Sequence, residues 1–148
     1  MAWITFLIYA ITLMKTKLLI DSNIFIYAYD INSPFHPKAK QILMDTEYKI
    51  FTTTKNISEY FAVLSKQNAP FALVWKFYED LKNNTVIIFP NAESLSVLEQ
   101  LLQKYQPRGN KVFDIEIASI ALSHQIDTIA TFNTKDFDGI SEISVLAG

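Results

Sequence analysis

The chain has 148 residues, a formal net charge of −2 at pH 7 and no cysteine. Half of its residues are hydrophobic and 19% are charged, which is typical of one folded domain rather than of a disordered chain. The missing cysteines exclude disulfides, thiolate metal ligands and cysteine nucleophiles, and they are compatible with the cytoplasm, where we expect the protein. The small net charge gives no sign of broad nucleic-acid affinity. Because cysteine is missing and the two histidines, His36 and His124, lie far apart in the chain, carboxylates are the main resource for acid–base and metal chemistry.

The first 13 residues form an apolar segment without any charged side chain. This segment is shorter than the roughly 20 apolar residues that a spanning helix needs, and it lacks the basic start of a secretory signal. We interpret residues 1–13 as an extension outside a domain that covers residues 14–148, as a misplaced start codon would produce. A short helix that binds a membrane surface or a partner protein is the alternative interpretation.

Short apolar runs alternate with amphipathic segments along the rest of the chain. The runs predict strands at 17–20, 48–52, 85–89, 128–131 and 143–146, the last of them at the edge of the sheet. The segments between them predict helices at about 22–29, 37–48, 55–67, 71–83, 92–105 and 112–125. This alternation favours an α/β fold with a mainly parallel sheet flanked by helices, in which ligands bind beyond the carboxyl ends of the strands.

Asp21 ends the first predicted strand, at the border of the predicted core. A buried carboxylate is costly unless a partner satisfies it. Asp21 or Ser22 can cap the helix that follows, so a local hydrogen bond is one solution, and a bound cation is the other. The residue by itself does not decide between them.

At three further places in the sequence, polar side chains can have either a structural role or a role in a site. Glu59 lies on the polar side of its predicted helix, where a solvated glutamate is the default. Asp114 opens a helix that is apolar nearly all round, although an aspartate there also favours the helix dipole. Asn133 and Asp136 follow the fourth strand and can shape a turn.

Taken together, these acids suggest a site with oxygen ligands only. Such a site favours a hard cation such as Mg²⁺ or Mn²⁺, which offsets repulsion among carboxylates and assists in-line displacement at phosphorus. No P-loop glycine motif supports an NTPase, and no G-x-S-x-G elbow supports a serine hydrolase.

The segments LLIDSNIFIYA, NISEYF, FDIEIASIAL and TIATFNTKDF, in this order, resemble the motifs of the PIN-domain nucleases, especially the VapC-type toxins. The resemblance implies a PIN-like fold in which Asp21, Glu59 and Asp114 bind the metal. It implies that Ser22 is the neighbouring hydroxyl that helps to orient the site. The fourth position is ambiguous, because relatives differ in whether the acid stands where this chain has Asn133 or later, at Asp136.

Membership of that family implies an endoribonuclease that depends on Mg²⁺ or Mn²⁺ and hydrolyses RNA, as the toxin of a type II toxin–antitoxin pair. It also implies a homodimer and a cognate antitoxin protein whose segment blocks the acidic pocket. No membrane partner is expected unless residues 1–13 are a real anchor.

Other functions remain open at the level of sequence. A PIN-like module that binds without turnover is one, and an RNA-processing nuclease outside toxin–antitoxin systems is another. A dehalogenase-type phosphoryl-transfer enzyme also begins with a strand and an aspartate, but it needs a second aspartate where this chain has Asn23. Basic residues near one loop, Lys104, Arg108 and Lys111, are either solvated or contact phosphates.

Overall fold

A computed structural model describes residues 2–147 of the chain. Met1 and Gly148, the outermost residues of the predicted extension and of the predicted domain, lie outside the described residues. The helices are Ala2–Met14 (α1), Ser22–Tyr29 (α2), His36–Leu43 (α3), Thr54–Lys66 (α4), Phe71–Asn84 (α5), Ala92–Tyr105 (α6) and Lys111–Ser123 (α7). The strands are Thr16–Ile20 (β1), Tyr48–Thr53 (β2), Val86–Ile88 (β3), Thr128–Thr131 (β4) and Ser144–Ala147 (β5), and a 3₁₀-helix spans Thr134–Asp136.

The five strands of the described chain form one parallel sheet in the order β3-β2-β1-β4-β5. Leu19 of β1 is in register with Phe51 of β2 on one side and with Ile129 of β4 on the other. The expected α/β fold is confirmed, and β5 lies at the edge as predicted. Because all strands run the same way, their carboxyl ends meet at one edge of the sheet.

Helices cover both faces of the sheet, which explains why β1 is apolar at successive positions. Leu18 and Ile20 belong to a core that also contains residues of α2, α3, α4 and α5. Leu19 points the other way, into a core with Leu101 of α6 and Ile115 of α7. Side chains of a strand alternate between its two faces, so successive positions are apolar where both faces of the strand are buried, as at the last three residues of β1. This burial holds the first residue after β1 firmly in place.

The largest differences from the predicted elements lie at α3 and β3. The helix expected to reach Tyr48 ends at Leu43, because a turn follows in which the Asp45 carboxylate accepts the backbone N–H of Glu47 at 2.9 Å. Aspartate side chains compete in this way with helical hydrogen bonding. The third strand is also shorter than expected, since it covers only Val86–Ile88.

The apolar N-terminal segment forms α1, which continues one residue beyond the predicted extension. Its large side chains that the structure describes are exposed, with Trp3 at 78%, Phe6 at 62% and Tyr9 at 63%. Neither core includes any of the α1 side chains that the structure describes, which are those of residues 2–11 and 14. Within residues 2–147, no helix combines the length and the apolar character that crossing a membrane requires.

Candidate active site at the carboxyl ends of the strands

Asp21 lies directly after β1 and is only 5% exposed, yet both of its carboxylate oxygens accept hydrogen bonds. Oδ1 accepts from the backbone N–H of Ser22 at 2.8 Å and from the Asn56 amide at 3.2 Å. Oδ2 accepts from the Thr131 hydroxyl at 2.8 Å and from the Asn23 amide at 3.4 Å. Local hydrogen bonds therefore satisfy this buried acid, and Asp21 is at the same time the N-cap residue of α2.

The orientation of the Asn56 amide is set by the beginning of α4. Thr53 and Asn56 form a capping box, and the Thr53 hydroxyl donates to Asn56 Oδ1 at 2.6 Å. Since the amide oxygen of Asn56 is engaged in this way, its nitrogen points to Asp21. Asn56 is completely buried, so water does not compete for these bonds.

A second set of hydrogen bonds joins the end of β1 to the segment after β4. Asn23 donates to the Thr131 hydroxyl at 2.9 Å, and its amide oxygen accepts the backbone N–H of Phe132 at 3.1 Å. The hydroxyl of Thr131 also accepts the backbone N–H of Asn133 at 3.1 Å. These contacts position the start of the loop that carries Asp136.

Three of these polar partners were missed at the level of sequence, namely Asn23, Asn56 and Thr131. Sequence signals for them exist. Asn23 stands two residues after Asp21 in the first motif, and Thr131 ends a strand at the same edge of the sheet. Asn56 stands three residues after Thr53, the spacing of a capping pair.

Negative charge accumulates around Asp21. Burial raises the pKa of Asp21 to about 6, while the hydrogen bonds from Thr131 and Ser22 oppose the rise. The charges of Glu59 and Asp136 are smaller contributions to the raised pKa and act in the same direction as burial. Acids on three separate segments thus act on one another at the end of β1.

Asp114, in the first turn of α7, belongs to the same electrostatic group. Burial is the largest cause that raises its pKa to about 6, and the charges of Asp136, Asp21 and Glu59 add to it. The nearby Lys111 acts in the opposite direction. All four predicted acids therefore interact.

Glu59 and Asp114 also line one open pocket of about 520 Å³ between α4 and α7. Glu59 is exposed on α4, whereas Asp114 is half-buried at the start of α7. The other residues that line the pocket are Thr54, Lys55, Ser58, Asn110, Phe113 and Ile117. The acidic group is thus open to solvent on this side.

The two predicted site residues after β4, Asn133 and Asp136, have different roles in the structure. The Asn133 amide donates to Asp136 Oδ1 at 2.8 Å, so the pair is directly bonded. Lys111 donates to the backbone carbonyl of Lys135 at 3.1 Å and also to that of Asp136. These bonds attach the 3₁₀-helix to the start of α7. Asp136 carries the charge that acts on the other acids, and Asn133 supports Asp136.

The chemistry of these residues fits a hard divalent cation in donor type and in charge. The donors are oxygens, and the charges of neighbouring acids help to raise the pKa of Asp21 and of Asp114, an effect that a cation would reverse. Among residues 2–147, however, no three His, Cys, Asp or Glu side chains converge tightly enough to hold a metal. Binding would therefore require the acidic side chains to move closer together.

The sequence matches the family model of the PIN domain over residues 18–143. No curated protein sequence matches the chain. Among solved structures, a toxin–antitoxin complex from Klebsiella pneumoniae is similar at 23% identity and a TM-score of 0.65, covering 86% of this chain and 95% of that one. VapBC2 from Rickettsia felis, bound to a promoter DNA fragment, is similar at 20% identity and a TM-score of 0.68, covering 90% and 99%.

VapC20 of Mycobacterium tuberculosis, a toxin that cleaves the sarcin–ricin loop, is similar at 13% identity and a TM-score of 0.61. That similarity covers 76% of this chain and 86% of the other. At such identities the solved structures support the fold alone. The family model, which spans most of the sequence, shows that the chain belongs to the PIN domain family.

Proposed function

We propose that the protein is a metal-dependent endoribonuclease that hydrolyses RNA phosphodiester bonds. The observation that carries this proposal is the electrostatic group of four acids, from β1, α4, α7 and the segment after β4, next to a solvent-open pocket. An isolated helix cap would not need three other acids around it. The similarity of the fold to a toxin that cleaves an RNA loop supports the same activity.

Asp21, Glu59 and Asp114 would hold Mg²⁺ or Mn²⁺, with Asp136 as the fourth acid. When bound, such an ion lowers the pKa of water and stabilises negative charge on the reacting phosphate. Asp136 is preferred over Asn133 because its charge raises the pKa of Asp21 and Asp114.

The remaining polar residues hold these acids in position. Asn23, Asn56, Thr131 and the backbone of Ser22 donate to Asp21, so they fix its carboxylate plane and favour its ionised form. Asn133 orients Asp136 through its amide. These donors would prepare the carboxylates before substrate binds, which is the usual role of hydrogen-bonding partners around a metal site.

The biological part of the proposal is that the protein is a cytoplasmic toxin, acts as a homodimer and is neutralised by a cognate antitoxin. The similar structures from Klebsiella pneumoniae and Rickettsia felis support it, because both are toxin–antitoxin assemblies. Residues 14–148 would form the nuclease domain and residues 1–13 an extension. The family match from residue 18 onwards supports this division, and so does the absence from both cores of the α1 side chains that the structure describes.

Cleavage of a mixed RNA substrate with and without Mg²⁺ or Mn²⁺ tests the activity. Asp21→Asn, Glu59→Gln and Asp114→Asn should each abolish cleavage while the circular dichroism spectrum stays unchanged. Asp80→Asn and Glu99→Gln are matched controls on exposed helix positions and should cleave normally. Full activity in any of the three site variants would remove that residue from the site.

Thermal unfolding tests metal binding without any substrate. At about pH 7.5, Mg²⁺ or Mn²⁺ should raise the melting temperature of the natural chain, because a ligand that binds only the folded state stabilises it. The rise should disappear in Asp114→Asn and persist in Asp80→Asn. RNA binding without a metal effect and without cleavage would favour the alternative, a binding module without turnover.

Growth of cells that express the chain tests the toxin role. Expression alone should arrest growth, and coexpression of a small DNA-binding protein encoded just upstream should restore it. Normal growth despite cleavage in vitro would point instead to an RNA-processing nuclease.

A further inference from the structure

Phe113 is exposed in a helix that is otherwise mostly buried. The residues that follow in α7 are largely part of a core, yet Phe113, directly before Asp114, leaves 55% of its surface accessible. Phe113 also lines the open pocket that contains Glu59 and Asp114. The pocket therefore offers an exposed aromatic ring beside two acids, and a ligand with an apolar face can pack on that ring.

Lys55 lies over this ring. Its Nζ is 5.2 Å from the Phe113 ring centroid, a distance at which a cation and an aromatic face attract each other. The same Nζ is 2.5 Å from Glu116 Oε2, so Lys55 of α4 bridges across to α7. Lys55 is therefore a positive charge at the edge of a negatively charged pocket.

A phosphate group of RNA can bind in this pocket only if a positive charge is near it. Four acids repel an RNA backbone, and among the residues lining the pocket Lys55 alone is a cation. Lys111, the other lysine near Asp114, is engaged with the carbonyls of Lys135 and Asp136. Lys55 is thus the group able to offset repulsion between this pocket and a phosphate.

We propose that Phe113 and Lys55 form a nucleotide platform, in which an unpaired RNA base stacks on the Phe113 ring and Lys55 pairs with a neighbouring phosphate. This inference rests on the proposed ribonuclease function, and it names the parts of the substrate that the site binds, an unpaired base and a neighbouring phosphate. Aromatic stacking is tolerant of sequence and requires a base that is not already stacked in a duplex. The platform therefore selects single-stranded RNA or a loop, and it positions the next phosphate toward Asp114.

Glu116 is the competitor of the phosphate in this arrangement. In the absence of RNA, Lys55 pairs with Glu116, and a bound phosphate must draw the ammonium group away from that carboxylate. Replacing Glu116 by glutamine should free Lys55 and strengthen RNA binding. A purely structural ion pair would give no such gain.

The experiment uses a short single-stranded RNA that carries one 2-aminopurine, with the full chain in EDTA so that no cleavage occurs. Stacking on Phe113 should quench the 2-aminopurine fluorescence at saturating protein. Phe113→Leu should restore the fluorescence and weaken binding by about fivefold or more, the lower range for the loss of one base–aromatic stack. Phe113→Trp should retain both the quenching and the affinity, and a fully paired duplex should bind more weakly.

Two charge variants complete the test. Lys55→Gln should weaken binding and lower its salt dependence by about one phosphate contact, whereas Glu116→Gln should strengthen binding by about two- to fivefold. Phe71→Leu, another exposed ring at the start of α5, is the matched control and should change neither signal.

Failure of this inference is distinguishable from failure of the proposed function. Absence of RNA binding by the natural chain, or equal fluorescence and affinity in Phe113→Leu, would overturn the platform even if the chain cleaves RNA. Quenching that depends on Phe113, in a chain that never cleaves, would leave the platform in place and refute the nuclease.

Discussion

The side-chain amide of Asn56 donates to the carboxylate of Asp21 over 3.2 Å, and this bond joins the first turn of α4 to the end of β1. Both residues are buried and have no access to water, so this bond takes the place of the hydrogen bonds that water would otherwise provide. An amide donor at this position lets a carboxylate exist inside the protein without a bound cation. Five further hydrogen bonds engage the side chains of Asp21 and Asn56.

Asn56→Asp should therefore destabilise the fold strongly. The change replaces the donor by a second acceptor and puts a like charge beside Asp21, so the free energy of unfolding should fall by about 2 kcal/mol or more at neutral pH. Urea unfolding measures this change. The loss should shrink near pH 4, where the acids become protonated. Asn83→Asp, on an exposed position of α5, is the control, and an equal loss there would refute the explanation.

The stability of the chain should depend on pH through Asp21 and Asp114. The pKa of each is raised from 3.8 to about 6, so between about pH 4 and 6 the folded state binds more protons than the unfolded state. Stability due to these groups is then present at low pH and is lost as the pH rises through 6. For the buried Asp21 this loss corresponds to about 3 kcal/mol.

Comparison of Asp21→Asn with the natural chain isolates this contribution. In metal-free buffer, the natural chain should lose stability relative to the variant as the pH rises from about 4 to 7. The comparison cancels the opposite effect of Glu142, whose pKa is lowered to about 2, chiefly by the hydrogen bond from Tyr105, and whose stabilisation is lost as the pH falls. Parallel pH profiles would contradict the raised pKa of Asp21.

The fourth position of the site should belong to Asp136 rather than to Asn133. Asp136→Ala removes a charge that acts on Asp21 and Asp114, and we expect cleavage to fall by about 10- to 100-fold. Asn133→Ala removes only the amide that donates to Asp136, so its effect should be smaller.

The double variant separates the two roles. If Asn133 acts through Asp136, its replacement should have no additional effect once Asp136 is alanine. Additive losses in cleavage rate, or a larger loss from Asn133→Ala alone, would assign the fourth position to the asparagine.

Removal of residues 1–13 should leave the domain intact. The large side chains of α1 that the structure describes are exposed and contribute to neither core, so the melting temperature and the cleavage rate should stay the same. Removal of an exposed apolar surface should reduce self-association, which light scattering measures. A marked fall in melting temperature would mean that the helix belongs to the domain.

The sequence was sufficient for the fold because β1 and α7 carry unambiguous patterns. A run such as Leu18-Leu19-Ile20 is apolar at successive positions only when both faces of a strand are buried, and that occurs in parallel sheets. The predicted end of α3 was wrong by several residues. The side chain of Asp45 forms a turn there and ends the helix early, and the pattern of the segment did not predict this turn.

The positions of the acids relative to the predicted strands also indicated which of them lie close together in the fold. Asp21 and the loop after Thr131 were expected at the same edge of the sheet, since parallel strands end together. The hydrogen bond from Thr131 to Asp21 agrees with that expectation. Asn23 and Asn56 were not identified, because their spacing to Asp21 and to Thr53 does not say which oxygen each amide contacts, and only the structure shows that both donate to Asp21.

The amino-acid sequence by itself determined the parallel α/β architecture, because periodicity and residue type act locally. It predicted Asp21, Glu59 and Asp114 as site residues and left the fourth position open between Asn133 and Asp136. Only the tertiary structure decided how the acids are supported: the donors of Asp21 come from positions up to 110 residues apart in the chain, and the direction of each amide depends on its bonded neighbours. It also brought Lys55 onto Phe113, a contact between two helices that no local pattern encodes.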